Sequence, residues 1–121
     1  MKNILVTSFV VLALFSGVVE AQDNIEKKKI DFLISSIENI KGAKFIRNGT
    51  EYYGKEAVEH FRIKLRIAGG KIQTADDFIR LCASTSSISG KPYMIKSADG
   101  KTINSEQYFR EKLKEYHSTE K

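Results

Sequence analysis

The sequence is poor in the residues from which staples and reactive sites are usually built. Its single cysteine, Cys82, excludes an internal disulfide, so packing alone must hold the fold. A lone thiol of this kind reads as a small buried apolar side chain. The two histidines, His60 and His117, stand too far apart for a metal-ligand motif, and Asp76-Asp77 fits the start of a helix better than a cation site. A Gly-x-Ser-x-Gly elbow is missing, as is Ser-x-x-Lys with its usual companion motifs. A glycine-rich phosphate loop and a dinucleotide fingerprint are missing too. No metal or cofactor is expected. The aromatic-and-basic signatures of nucleic-acid modules are also absent, so no nucleic-acid partner is expected.

Long hydrophobic runs are lacking as well. The longest apolar stretch, Ile4 to Val19, covers about 16 residues and falls short of the ~20 that cross a bilayer. Thr7, Ser8, Ser16 and Gly17 interrupt it, Lys2 precedes it, and Val19-Glu20-Ala21 puts small residues at the two positions a signal peptidase reads. Residues 1–21 are therefore expected to be a cleaved secretory signal. One domain over 22–121 is expected to follow, with its core over 25–116, soluble in the periplasm or outside the cell. Gln22 in place of Cys argues against a lipid anchor.

What is present is a modestly basic, well-mixed surface. Lys and Arg number 20 against 15 Asp and Glu, a formal net charge of +5. The signs alternate along most of the chain, which describes solvated helix faces. Asn24 to Lys41 reads as a first helix, since Ile30, Leu33, Ile34, Ile37 and Ile40 form a single stripe and Gly42 stands where it would end. Asn48-Gly49 between Phe45-Ile46 and Tyr52-Tyr53 predicts a hairpin. Over 60–67 polar and apolar residues alternate as in a strand, yet Ala57, Val58, Phe61, Leu65 and Ala68 share a helical face that stops at Gly69-Gly70. A helix over 55–68 is predicted, followed by an extended connector over 71–73.

Thr74-Ala-Asp-Asp77 has the form of a capping box and opens a short third helix, with Phe78, Ile79, Leu81 and Cys82 on its buried side. Asp99-Gly100 predicts a second hairpin between Pro92–Lys96 and Lys101–Asn104. Ser105 then caps a last helix to about Tyr116, followed by a loose tail from His117. The fold class is a small single α+β domain, with about four helices and two short β-hairpins after an N-terminal signal peptide.

Several of these pieces recur together: Phe45-Ile-Arg-Asn-Gly49 with Glu51-Tyr52, His60-Phe-Arg62 with Lys64, Thr74-Ala-Asp-Asp-Phe-Ile79, and Ala83-Ser84, Ser86-Ser87, Ser89-Gly90 and Pro92-Tyr93. In these the chain resembles the YfeK-like family of small exported bacterial proteins of unknown function. The resemblance implies export to the periplasm and a compact domain; it implies no activity, ligand or catalytic residue.

The densest candidate for function is the serine-rich loop Ser84 to Tyr93. Ser84, Ser86, Ser87 and Ser89 offer hydroxyls, Gly90 frees the backbone, and Lys91 and Tyr93 add a charge and a ring. Serines at the end of a helix also satisfy backbone groups, so the same residues have an ordinary structural reading. Arg80, His60 and Arg62 are the expected neighbours. The functional expectation is a non-enzymatic module that binds an envelope protein or a small anionic ligand through this loop. A serine hydrolase or transferase pairing a loop serine with His60 is the first alternative. A binder of envelope polyanions is the second, although Arg62, Lys64 and Arg66 fan widely around a helix and make no single patch.

Overall fold

A computed structural model of the chain describes residues 24–119, so the expected signal segment lies outside the described residues. Helix α1 covers 24–38 and ends short of the expected boundary, because residues 39 and 40 already turn toward Gly42, whose φ is 70°. Strands β1 (Lys44–Arg47) and β2 (Thr50–Tyr53) form the first hairpin. Asn48 and Gly49 make its turn, with φ of 53° and 81°, as the Asn-Gly pair requires. Helix α2 (Gly54–Ala68) follows at once, which settles the ambiguous segment as helix. Gly54 is needed where α2 starts. A Cβ there would come within 3.0 Å of the Ile37 carbonyl oxygen and 3.3 Å of the Glu38 Cα, so this glycine lets α2 lie directly on the end of α1.

The connector expected over 71–73 is extended only from Ile72, because Lys71 closes a single 3-10 turn with Gly69 and Gly70. In α3 (Ala75–Cys82) the inward stripe is Ala75, Phe78, Ile79 and Cys82, the i, i+3, i+4, i+7 pattern, while Leu81 lies on the flank and is 45% exposed. The capping box forms as its residues foretell: Thr74 Oγ1 accepts from Asp77 N at 3.0 Å, and Asp77 Oδ2 accepts from Thr74 N at 3.2 Å. The Glu26 carboxylate of α1 accepts from Ala75 N at 2.8 Å, tying the first helix to the third.

Strands β3 (Met94–Lys96) and β4 (Thr102–Asn104) form the second hairpin around Gly100. Helix α4 (Ser105–Thr119) continues through His117, correcting the expected loose tail. Ser105 is its first residue, and its buried hydroxyl has no partner among the described residues, so the expected side-chain cap is not made.

The two hairpins join. β1 pairs with β3 in antiparallel register, giving one four-stranded sheet in the order β2-β1-β3-β4. Tyr52, Phe45, Ile95 and Ile103 pair across it in a row on the inner face. α2 packs against β1 and β2, α4 packs against β3 and β4, and α3 contacts both helices. Phe61 is wholly buried at the centre, with ring contacts to Phe45, Phe78, Tyr93 and Phe109. Cys82 is buried and unpaired, and burial pushes its thiol upward in pKa, as suits an inert packing group. Among the described residues no helix is long and apolar enough to cross a membrane.

Candidate functional site

The serine-rich loop is locked at its base and open at its tip. Ser86 is only 2% exposed, and its hydroxyl accepts from Ile88 N at 3.2 Å and Ser89 N at 3.4 Å. Its backbone N–H donates to the Lys91 carbonyl at 2.9 Å, and its own carbonyl accepts from Gly90 N at 2.9 Å. Asn48, at the tip of the first hairpin, donates to Ser86 Oγ at 3.3 Å and accepts from the Ser89 hydroxyl. The Asn-Gly turn therefore supports the loop as well as reversing the strand. Ser84 Oγ donates to the Ile79 carbonyl at 2.6 Å, closing α3. Thr85 and Pro92 form an isolated bridge across the loop's base. Ser87, Ile88, Ser89, Gly90 and Lys91 remain exposed, Ile88 at 81%.

At the other end of the loop Tyr93 enters the core, with its hydroxyl facing α2. Lys64 Nζ donates to Tyr93 Oη at 2.9 Å and to the Thr85 carbonyl at 3.4 Å, and His60 Nε2 lies 3.4 Å from the same phenol oxygen. The His60 ring packs near the rings of Phe45 and Tyr93. Burial, helped by the positive charges of Arg47 and Lys64, pushes the His60 pKa down from 6.5 to about 4. At neutral pH the imidazole is therefore uncharged.

A cleft of about 260 Å³ opens between the first hairpin and α2, and His60 forms part of its wall. Phe45, Tyr52, Ala57 and Ile63 give it apolar surfaces, and Arg47, Glu56 and Glu59 give it charge. The Nε of Arg47 is buried and has no hydrogen-bond partner among the described residues. Sequence reasoning about function passed over Arg47. The signal was there in the strand period: two residues after inward-facing Phe45, Arg47 is carried to the same face of the sheet.

Residues 24–117 match the family described as "Family of unknown function (DUF5329)". The chain belongs to this family. Its match spans α1 to the last turns of α4, so the helices, the sheet and the loop together are the DUF5329 unit. The chain is also 41% identical over 68 residues to the uncharacterized protein YfeK of Salmonella typhimurium (strain LT2). That similarity spans 56% of this chain and 57% of the YfeK chain. No solved structure matches.

Within the DUF5329 unit the residues singled out as a surface divide into two groups. His60 and Tyr93 meet directly, and Ser84, Ser86, Ser89, Gly90 and Lys91 share one hydrogen-bonded loop. Ser87 is at the exposed tip. Arg62 points the other way: it pairs with Asp31 at 2.6 Å and donates to Ser35 at 3.4 Å, both on α1. Arg80 is exposed on α3 and paired with Asp77 at 3.0 Å. No loop serine is hydrogen-bonded to His60 among the described residues; the hydroxyl beside that ring belongs to Tyr93. No group of three or more His, Cys, Asp or Glu among these residues is placed to hold a metal ion.

Proposed function

We propose that this DUF5329 chain is a non-enzymatic binding module of the bacterial envelope, exported by its N-terminal segment, and that it meets an envelope protein through the loop Ser84 to Tyr93. The observation that carries the reading is Ile88, an isoleucine 81% exposed on a loop whose base is bonded to α2, α3 and the first hairpin. A large apolar side chain held in water costs free energy that a partner surface can recover. Because the loop is already ordered by Ser86 and Tyr93, little conformational entropy remains to be lost on binding. A hydrolase using His60 has less support. Its ring nitrogen faces a phenol, and the hydroxyls of Ser84, Ser86 and Ser89 are committed to loop and helix-end bonds.

The test is capture of the protein with its partners from its own cell envelope, identified by mass, beside Ile88→Asp and Ser87→Ala variants of unchanged circular dichroism. A partner retained by the wild type and lost with Ile88→Asp supports the reading. Identical partner sets for the wild type and both variants refute it. The mass of the captured chain also reports whether cleavage follows Ala21.

A further inference from the structure

The cleft between the first hairpin and α2 holds opposite charges that do not meet. Arg47 and Glu59 both line it, yet among the described residues no carboxylate lies within ion-pair distance of Arg47. Arg47 Nε is cut off from water and unbonded, and a buried donor without an acceptor is costly to keep. A guanidinium presented in this way is suited to the planar, two-oxygen geometry of a carboxylate. Glu56, the other acidic group of the cleft, already accepts from Tyr53 N at 3.3 Å. Glu59 is exposed and has no hydrogen bond or ion pair among the described residues.

The lining selects among ligands by charge. With His60 uncharged at neutral pH, the charged groups of the lining are one guanidinium and two carboxylates. A dianion such as phosphate would be repelled by both acids, and a simple carboxylate would leave Glu59 without a partner. A ligand with separate positive and negative groups satisfies both ends. The apolar walls ask for an apolar body between or beside them. A volume of about 260 Å³ has room for on the order of ten non-hydrogen atoms, taking about 30 Å³ per water-sized group.

We propose that this cleft binds a small zwitterion of the apolar α-amino acid class, with its carboxylate on Arg47, its ammonium on Glu59 and its side chain against Phe45, Tyr52 and Ile63. The site is built from the hairpin and α2 and does not depend on the loop tip being a contact surface.

Calorimetric titration of the full chain tests it, with L-leucine and L-phenylalanine as probes. The matched half-ligands are 3-phenylpropionate, which lacks the ammonium, and 2-phenylethylamine, which lacks the carboxylate. Phenylalanine should bind at least about tenfold more tightly than either half-ligand. Arg47→Gln should weaken phenylalanine by about tenfold or more. Glu59→Gln should weaken phenylalanine while leaving phenylpropionate within about twofold of the wild type. Glu59 is exposed, so that variant carries the test even where Arg47→Gln misfolds. Equal affinities for phenylalanine and phenylpropionate overturn the proposal, as does an absence of binding by both amino acids at ~10 mM, beyond the millimolar range of weak specific sites.

Discussion

The two flanks of α2 carry the same kinds of side chain and treat them differently. On the α1 side Arg62 is neutralised at once, by Asp31 at 2.6 Å with Ser35 beside it. On the other side Lys64 and His60 converge on the Tyr93 hydroxyl, and Arg47 lines the cleft with no carboxylate within ion-pair distance among the described residues. The first flank is closed: its charge belongs to the assembly of the domain. On the second, the charges of Lys64 and Arg47 both act on an uncharged histidine, and a cleft opens beside it. The contrast shows where this small domain holds polar groups that its own packing leaves unmatched.

The strongest way to break the comparison is to remove what joins the flanks. Phe61 is fully buried between them, and Phe61→Ala should cost about 3–5 kcal/mol in urea unfolding. A loss below about 1 kcal/mol would mean that the flanks pack independently of the central ring. Next in size is the loop's support on the open side. Ser86→Ala strips the buried acceptor from two backbone N–H groups and should cost about 1–3 kcal/mol. Faster amide hydrogen exchange at Ile88 and Ser89 should accompany the loss.

Acidification tests the uncharged histidine. Because the folded ring holds its proton less tightly than the unfolded one, protons favour the unfolded chain. His60's contribution is therefore complete above about pH 6.5, declines as the pH falls toward 4, and levels off below that. The ring is partly open to solvent, so the change should be about 1–2 kcal/mol. His60→Gln should flatten that part of the stability profile; an unchanged slope would show that other groups produce it.

The smallest effects sharpen the contrast itself. Arg62→Gln breaks a partly exposed ion pair and should cost about 0.2–1 kcal/mol. Arg47→Met removes a buried donor that bonds nothing among the described residues and should cost nothing or stabilise by up to about 1 kcal/mol. Equal losses for the two variants, measured side by side in urea, would erase the distinction between the flanks.

Most of the local architecture was legible because it is written in short spacings. Asn48-Gly49 makes its turn, Thr74 and Asp77 cap α3, and the apolar face of 57–68 outweighs its strand-like alternation. The misses lie where neighbours in space decide. Leu81 is apolar but sits beside the buried stripe instead of on it, Lys71 joins a tight turn with Gly69 and Gly70, and α4 keeps its last turns despite their polar sequence. The candidate site was legible in part. The run of serines marked the loop, but nothing in their spacing indicated that Asn48 would brace Ser86 and Ser89 from the far side of the chain.

Taken alone, the sequence determined the helices, the two hairpins, their turns and an α+β class, since helical period, strand alternation and turn chemistry act over a few residues. Tertiary structure decided that Phe45 would pair with Ile95, fusing the hairpins into one sheet. It also decided that Arg62 would pair with Asp31 while Arg47 pairs with no acid among the described residues. Both outcomes depend on contacts between residues far apart in the chain. No local pattern fixes which charges the folded packing will pair and which it will leave facing a cleft.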